Sequence, residues 1–425
     1  MSKIQAIRGF NDVLPHDSVR WEYALQRMLA CIKQFGYQEI KLPYVEQTAL
    51  FKRTIGDVTD IVAKEMYSFV DLNGDSISLR PEGTAGCVRA MIEHGMLRQA
   101  QKLWYFGPMF RHEKPQKGRY RQFYQLGVEV FGISDPALDL ELLLMTANMW
   151  QQLGISSKVH LEINCLGTLP DRNRYRTALV AFFEQHQDKL TSEELERLRR
   201  NPLRLLDSKS PLIQQLLTDA PRLIDFVDAQ SKQNFDLVCK GLNALNISYT
   251  INPYLVRGLD YYNHLVFEWL TTELGSQATV CAGGLYDTLV EQMSGPSTPA
   301  IGFAMGIERI LLLLDAVESI PSVDAFILTQ EEQPLVQCQR IAQDIRQQLG
   351  WSVEINLNSA SLKSQFKKAD KSGARFALIL GADELQNNKV SVKLLRGSYQ
   401  DDKQTSLNQN ELIAWLQKQH GENVC

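Results

Sequence analysis

The sequence predicts an α+β fold in three parts: an antiparallel sheet flanked by helices, a helical insertion, and a C-terminal α/β domain. Strand patterns in residues 102–132, and again after residue 247, indicate the sheet. Residues 171–243 are glycine-poor and rich in charge and glutamine, which favours helices. After residue 321, strands and helices alternate over about 100 residues. We therefore expect one domain over 1–320, with the insertion at 171–243, and a second over 321–425.

Residues 102–132 predict two strands joined by a charged loop, 111–118. Side chains alternate between the two faces of a strand, which sorts residues 119–130 into two sets. The apolar set is Tyr124, Leu126, Val128 and Val130, and the polar set is Arg119, Arg121, Phe123, Gln125 and Glu129. Guanidinium groups suit phosphates, an aromatic ring suits a purine, and a carboxylate suits a cationic ligand. The polar face therefore predicts a binding site for a ligand that carries such groups. The alternative is a solvated strand face on which these residues form ion pairs.

The remaining elements follow from periodicity and from turn residues. Apolar residues at helical spacing predict a helix from Val19 to Phe35, capped by Asp17 or Ser18 and ended by Gly36. The other elements predicted before the insertion are strands 37–42, 65–70 and 76–80, a hairpin turn at Asn73-Gly74, and helices 84–94 and 139–153. Those predicted after residue 321 are strands 324–329, 352–356, 374–381 and 390–397 and helices 333–349, 363–372 and from Asn408.

Composition excludes several classes of protein. The net charge of -4 argues against a general nucleic-acid coat protein but does not exclude a local basic surface, because affinity for a polyanion depends on where the lysines and arginines lie. The seven cysteines form no C-x-x-C pair and the seven histidines show no metal-ligand spacing, so we expect reduced thiols and no zinc site. There is neither an apolar run of membrane-spanning length nor a signal-peptide core, which predicts a cytoplasmic protein without membrane association.

Six segments carry motifs that occur together in one enzyme family. They are the helix and strand within 19–43, the segment Arg80-Pro81-Glu82-Gly83-Thr84, the Arg111 loop with its two strands, Leu255–Tyr262 (LVRGLDYY), Ala282–Asp287 (AGGLYD), and Gly306-Ile307-Glu308-Arg309. Over essentially its whole length, the chain resembles histidyl-tRNA synthetases of the bacterial type, which are class II aminoacyl-tRNA synthetases. The 19–43, Arg111 and 306–309 segments resemble class II motifs 1, 2 and 3, and the LVRGLDYY and AGGLYD segments are specific to the histidine enzyme.

The resemblance implies a reaction in two steps. The carboxylate of L-histidine attacks the α-phosphorus of ATP, giving histidyl-adenylate and pyrophosphate, and histidine then moves to the 3′-terminal adenosine of histidine tRNA. Because a carboxylate is ionised at neutral pH, the first step needs alignment and cations and no protein base. The resemblance also implies Mg²⁺ accompanying ATP, without an assigned protein ligand, and a homodimer formed through motif 1.

The resemblance also implies the residues that bind ATP. Arg111 and Arg257 would be catalytic, contacting the α-phosphate from opposite sides, and Arg257 would also contact the histidine carboxylate. Arg119 would hold the distal phosphates, and Phe123 and Arg309 would sandwich the adenine. The alternatives are a surface arginine for Arg257 and a helix-start ion pair with Glu308 for Arg309.

The implied histidine-binding residues fall into two groups. Those for the α-ammonium group are Glu82, Thr84 and Gln125, and those for the imidazole are Glu129 and Tyr262, with Tyr286 nearby. A site that bonds both ring nitrogens can reject other amino acids by roughly 10⁴-fold without editing. The alternative for the tyrosines is that they are ordinary half-buried aromatic residues.

The loop 112–118 is implied to contact the acceptor end of tRNA. Gln116 would read a base edge, whereas Lys114 and Lys117 would contact phosphates. The alternative is a mobile charged loop without that role. The C-terminal domain resembles an anticodon-binding domain. One of its helices carries cations that form either a phosphate-contacting face or a solvated one: Lys363, Lys367, Lys368 and Lys371, followed by Arg375.

Three departures from the family and three rival functions remain. Leu285 stands where the family has arginine, Thr288 where glycine is common, and Asn358–Ser361 lacks a glycine-rich character. The first rival is a synthetase-like regulatory subunit of the first enzyme of histidine biosynthesis, which typically lacks the C-terminal domain and the full arginine set. The second is a synthetase for glycine, proline or threonine, and the third is a pure RNA-binding module.

Overall fold

The computed structural model describes residues 3–56, 59, 61–208, 210–259, 261–275, 279–315, 323–329, 335–356, 361–396 and 404–421. The chain divides into two compact units, Met1–Ala316 and Val317–Cys425. No helix in these ranges is both long and apolar enough to cross a membrane. The domain limits expected from the sequence stay predictions.

The first unit contains helices and strands in a mixed order along the chain. Its helices are α1 (Pro15–Gln34), α2 (Thr48–Ile55), α3 (Thr84–Glu93), α4 (Pro136–Gln152), α5 (Leu169–Glu184), α6 (Ser192–Arg200), α7 (Pro211–Leu217), α8 (Leu223–Phe226), α9 (Ala229–Ala244), α10 (Leu289–Gln292) and α11 (Ile307–Leu313). Its strands are β1 (Gln38–Glu39), β2 (Val45–Gln47), β3 (Ser68–Val70), β4 (Ser76–Leu79), β5 (Gln101–Phe110), β6 (Gln122–Phe131), β7 (His160–Cys165), β8 (Tyr249–Ile251), β9 (Asn263–Leu270), β10 (Thr279–Leu285) and β11 (Ala300–Gly306). Short 3₁₀ turns occur at Met96–Arg98, Ser156–Lys158, Gln187–Lys189 and Pro202–Leu205, and a π-helical turn at Ile61–Glu65.

An eight-stranded sheet forms the centre of this unit, in the order β1-β5-β6-β11-β10-β9-β7-β8. Its inner pairs are antiparallel, as predicted, and only its edge pairs β1–β5 and β7–β8 are parallel among the described residues. A second sheet, β2-β4-β3, contains the predicted Asn73-Gly74 hairpin. Gly74 adopts a φ of +92°, and the Asp71 carboxylate accepts hydrogen bonds from the N–H groups of Asn73 and Asp75. The first strand of that hairpin starts at Ser68, later than predicted, because the preceding residues form the π-helical turn.

Helix α1 differs from its prediction at the N-terminus. It begins at Pro15, and Asp17 and Ser18 lie within its first turn, so neither is the cap. Proline suits the first helical position because its ring fixes φ and its missing N–H would be unpaired there anyway. Gly36, with a φ of +82°, follows the helix end as predicted.

The strand pair β5–β6 follows the predicted pattern with one correction. Gly107 pairs with Gln125 in the antiparallel register. Strand β6 begins at Gln122 and not at residue 119, because the N–H of Arg121 donates to the carbonyl of Gly9 at 2.8 Å. The predicted alternation of side chains between the two strand faces therefore applies to Phe123, Gln125 and Glu129. Arg119 and Arg121 precede the strand.

The segment between β7 and β8 is helical, comprising α5 to α9. Two of its helices begin with reciprocal caps. Thr168 and Asp171 form one such capping box, and Thr191 and Glu194 form the other. Apolar side chains such as Leu179 and Phe183 are fully buried, so the segment packs onto the core of the unit.

The second unit is a five-stranded sheet with helices. Its elements are β12 (Ala325–Thr329), α12 (Leu335–Leu349), β13 (Val353–Ile355), α13 (Leu362–Lys371), β14 (Phe376–Leu380), α14 (Ala382–Gln386), β15 (Lys389–Leu394), β16 (Thr405–Asn408) and α15 (Leu412–Gly421). The strand order is β13-β12-β14-β15-β16, parallel through β14 and antiparallel beyond it. The last helix was predicted from Asn408, but that residue ends β16 by pairing with Lys389, and the helix starts at Leu412.

Candidate active site

A cavity of about 710 Å³ opens over the central sheet. Its walls come from the loop that follows β5, from β6, β9, β10 and β11, and from described residues within 252–262. Nine residues singled out in the sequence line it: Glu82, Thr84, Arg111, Arg119, Phe123, Gln125, Arg257, Tyr262 and Arg309. The fold thus brings together residues that are up to 227 positions apart, from Glu82 to Arg309.

Glu129 lies behind this cavity, with 1% of its surface exposed. Its carboxylate accepts hydrogen bonds from the hydroxyls of Thr84 at 2.7 Å, Tyr105 at 3.1 Å and Tyr286 at 2.5 Å. Burial raises the pKa of Glu129 to about 8, although the bonds from Thr84 and Tyr286 act in the opposite direction. Thr84 therefore joins the cavity wall to a buried acidic group.

Glycine is required beside this carboxylate. A Cβ atom on Gly302 would lie 1.9 Å from Glu129 Oε2. A Cβ on Gly83 or Gly127 would collide with the Tyr105 ring, at 2.3 Å and 2.2 Å. The three glycines create the space in which Glu129 and Tyr105 pack.

Glu82 caps helix α3 from within the cavity wall. Its carboxylate accepts from the N–H groups of Thr84 at 2.6 Å and Ala85 at 2.8 Å. Burial raises the pKa of Glu82, although these two bonds act in the opposite direction. The preceding Arg80 is 3% exposed and donates to the carbonyls of Pro108 and Leu42, so it joins strand ends and does not line the cavity.

Gln125 presents an acceptor without a partner. Its Oε1 atom is buried and receives no hydrogen bond from any described residue. Buried polar atoms are normally paired, so this oxygen is suited to a donor on a ligand.

Three arginines at the cavity repel one another. Arg111 donates to the carbonyl of Pro81 at 2.9 Å, and its guanidinium lies 5.4 Å from the Phe123 ring centre. Burial, together with repulsion from Arg119 and Arg111, lowers the pKa of Arg309 to about 10. Burial also lowers the pKa values of Arg111 and Arg119. Such a concentration of positive charge favours an anionic ligand.

Two carboxylates that the sequence analysis missed hold arginines in place. Glu268 on β9 forms an ion pair with Arg257 and accepts from Thr279 at 2.9 Å. Glu113, which is 7% exposed, forms an ion pair with Arg119. In the sequence, the one available sign that Glu268 has a specific role was its position as a charged residue in the largely apolar strand NHLVFEWL.

Arg309 is held in place by main-chain carbonyls. Its side chain donates to Gly118 at 3.0 Å and to Thr279 at 2.6 Å. Glu308, the alternative partner considered for it, accepts from the N–H of Tyr124 at 2.9 Å and so anchors β6 to α11.

Three tyrosines pack together next to the cavity. The rings of Tyr261 and Tyr262 lie 4.7 Å apart, and Tyr286 contacts them at 5.6 and 6.3 Å. Tyr262 lines the cavity, whereas Tyr286 lies behind it on Glu129. Leu285 pairs with Ile301 in the sheet, and this departure from the family leaves the Tyr286 hydroxyl on Glu129.

The loop residues Lys114, Gln116 and Lys117 are exposed and lie outside the cavity lining. Main-chain bonds between Gln116 and Arg119, at 2.9 and 3.0 Å, close the loop into a tight turn. Gly118, with a φ of +71°, completes that turn.

No group of three or more metal-ligating side chains occurs within the described ranges. The cavity is instead lined by separate carboxylates, each with its own partner.

Comparison with known proteins identifies the family. The family model described as histidyl-tRNA synthetase matches residues 9–310, and the model described as anticodon binding domain matches residues 324–419. A curated histidine–tRNA ligase from Legionella pneumophila (strain Lens) is 54% identical over 402 residues, covering 93% of this chain and 94% of its own.

The chain belongs to the histidyl-tRNA synthetase family.

Solved structures agree with this assignment. The apo histidyl-tRNA synthetase of S. aureus superposes with a TM-score of 0.80 at 35% identity, covering 97% of this chain and 99% of its own. A histidyl-tRNA synthetase structure from Nostoc sp. PCC 7120 has a TM-score of 0.72 at 19% identity and covers 98% of this chain and 100% of its own, which shows the shared fold. The resemblance and the fold class predicted from the sequence are both confirmed, whereas the roles of individual site residues stay predictions.

The second unit carries the cationic helix expected from the sequence. Lys363, Lys367, Lys368 and Lys371 are exposed on α13. Lys368 donates to Asn356 at 3.3 Å. The guanidinium of Arg375 lies 5.9 Å from the Trp351 ring, beyond the end of that helix. Residues 358–361 were noted above as a departure from the family's glycine-rich segment. Of these, 358–360 lie outside the described residues.

Proposed function

We propose that this chain is a histidine–tRNA ligase that activates L-histidine with ATP and then transfers it to histidine tRNA. One observation carries the proposal: a cavity lined by four arginines adjoins a buried group of one carboxylate and three hydroxyls. Phosphates suit the arginines, and an imidazole suits the buried polar group. The 54% identity to a curated histidine–tRNA ligase supports the same activity.

The proposed ATP site uses the arginines and Phe123. Arg111 and Arg257 bind the α-phosphate, Arg119 binds the distal phosphates, and Phe123 and Arg309 sandwich the adenine. The mutual repulsion at Arg309 supports this, because an anionic ligand would relieve it. Before ATP binds, ion pairs with Glu113 and Glu268 hold Arg119 and Arg257 near the cavity.

The proposed histidine site lies where the cavity meets Glu129. Gln125, Glu82 and Thr84 accept hydrogen bonds from the α-ammonium group, and the unpaired Oε1 of Gln125 supports this role. The imidazole bonds to Tyr262 and to the buried polar group formed by the Glu129 carboxylate and its hydroxyl partners. In that group, the Tyr286 hydroxyl orients the carboxylate.

The chemistry assigned to the side chains is alignment and charge neutralisation. The ionised carboxylate of histidine displaces pyrophosphate from the α-phosphorus, and Arg111 and Arg257 stabilise the charge that develops on the phosphoryl oxygens. Mg²⁺, when bound with ATP, supplies further neutralisation of phosphate charge. The carboxylate oxygens of Glu113 and Glu268, next to the phosphate-binding arginines, are the donor type that fits it.

For the second step, we propose that the 112–118 loop contacts the tRNA acceptor end. Gln116 reads a base edge, and Lys114 and Lys117 bind phosphates, which is supported by the exposure of all three. We also propose that the second unit binds the anticodon region, that the protein is a class II homodimer assembled through motif 1, and that it acts in the cytoplasm. Sedimentation equilibrium tests the dimer, and an anticodon-loop tRNA variant tests the second unit.

Amino-acid-dependent exchange of pyrophosphate into ATP tests the proposed function. Full-length wild type, Arg257→Ala and the control Arg98→Ala, an exposed arginine outside the cavity, are assayed with each of the twenty amino acids. Exchange with histidine alone, lost in Arg257→Ala and retained in Arg98→Ala, is the expected result. Folded wild type that exchanges no amino acid would favour a regulatory subunit, and exchange with another amino acid would overturn the histidine assignment.

A further inference from the structure

The described residues of the segment 256–262 separate two cavities. Four of its residues, Val256, Arg257, Leu259 and Tyr262, line both the 710 Å³ cavity and a second one of about 310 Å³ behind it. No hydrogen bond between main-chain groups joins its described residues to the described residues outside the segment. This wall of the active site therefore lacks the support that a strand or helix would have.

Two arginines from the helical segment between β7 and β8 provide that support. Arg172, in the first turns of α5, donates to the carbonyl of Tyr262 at 2.6 Å. Arg204, in the 3₁₀ turn Pro202–Leu205, donates to the carbonyl of Gly258 at 2.6 Å. Both arginines line the second cavity and approach the segment from the side opposite the proposed substrates.

We propose that Arg172 and Arg204 are positioning residues that align the histidine-binding and phosphate-binding side chains of Val256–Tyr262. This inference rests on the proposed function for its substrate assignment. Arg172 fixes the main chain of Tyr262, whose ring faces the histidine pocket, and Arg204 fixes the residue next to Arg257. The helical segment thereby sets the geometry of the first reaction step from behind the active site.

Losing each of the two hydrogen bonds should change a different kinetic parameter. Losing the Arg172 bond frees Tyr262, so the KM for histidine rises while the KM for ATP stays within about twofold. Losing the Arg204 bond frees Arg257, so kcat for adenylate formation falls. A hydrogen bond from a charged donor changes an equilibrium by roughly 10- to 100-fold, which is the size of effect expected for each.

Arg172→Met and Arg204→Met are tested in the full-length chain by pyrophosphate exchange. Arg172→Lys and Arg204→Lys keep a cationic donor and should recover most of the lost activity. Arg176→Met, one turn further along α5, and Arg200→Met, at the end of α6, also remove a charge beside the second cavity. Their kinetics should match wild type.

A second readout is independent of activity. Hydrogen–deuterium exchange of peptides covering 255–264 in the ligand-free protein reports on the amides of Leu255 and His264, which donate to the carbonyls of Asn252 and Gly167 at the two ends of the segment. Their exchange should be faster in both methionine variants and unchanged in the two controls. Wild type without histidine-dependent exchange would refute the proposed function, and peptide protection would still test whether Arg172 and Arg204 hold the segment in place. The inference is overturned if active wild type and the methionine variants show the same kinetics and protection, or if KM rises equally for both substrates.

Discussion

Replacing Glu129 with glutamine is expected to flatten the pH dependence of folding stability. Burial raises the pKa of this carboxyl to about 8 in the folded protein, against roughly 4.3 in an unfolded chain. The folded state therefore binds the proton more tightly. The resulting stabilisation is complete below the unfolded pKa and is lost as the pH rises through the folded pKa.

The magnitude follows from the two pKa values. Between pH 6 and pH 8 the unfolded carboxyl is already ionised, while the folded one passes from protonated to about half ionised. Through this group alone, the free energy of unfolding of the wild type falls by about 2 kcal/mol over that interval. Glutamine cannot titrate, so the free energy of unfolding of Glu129→Gln should not show this decrease between pH 6 and pH 8.

Urea denaturation of the full-length chain, followed by tryptophan fluorescence at both pH values, measures this difference. Relative to wild type, Glu129→Gln should gain about 2 kcal/mol of unfolding free energy between pH 6 and pH 8. Glu273→Gln, at an exposed glutamate, should keep the wild-type dependence. Parallel pH profiles for wild type and Glu129→Gln would refute the reasoning, because they would mean that Glu129 titrates alike in both states.

Two further predictions concern the pocket and the loop. Gly302→Ala places a Cβ 1.9 Å from the Glu129 carboxylate, so histidine-dependent exchange should fall by at least about 100-fold and stability by about 1–3 kcal/mol. The control Gly86→Ala, whose nearest neighbour lies 3.5 Å away, should remain active and folded, and an active Gly302→Ala would contradict this packing. Lys114→Ala and Lys117→Ala should each weaken tRNA binding and lower the slope of log affinity against log salt by about 0.7–0.9. Pyrophosphate exchange should stay at the wild-type level in both, and an unchanged salt slope would exclude a phosphate contact.

Local patterns predicted much of the sheet, and motifs shared with the family predicted much of the cavity lining. Alternation along β6 put Phe123, Gln125 and Glu129 on one face, because successive side chains of a strand point to opposite faces. The motif around Arg257 predicted that Arg257 and Tyr262 lie at the same site as Arg111, and all three line the cavity. These features depend on residues close together in the chain or on motifs of fixed spacing.

Long-range contacts explain what the sequence did not reveal. Strand β6 starts late because Arg121 bonds to Gly9, which is distant in sequence. The short strand β16, which was not predicted from the sequence, forms by pairing with β15. Glu268 resembles any polar residue in a strand until folding brings it to Arg257. The contact from Arg172 to Tyr262 joins residues 90 positions apart through one carbonyl, which no side-chain pattern encodes.

A crystal structure of the full-length protein with histidine and a non-hydrolysable ATP analogue tests the central claim most directly. We expect the imidazole to lie between Tyr262 and Glu129, the ammonium group to bind Gln125, and the α-phosphate to lie between Arg111 and Arg257. Histidine bound elsewhere, or in this cavity with its ring away from Glu129, would contradict it.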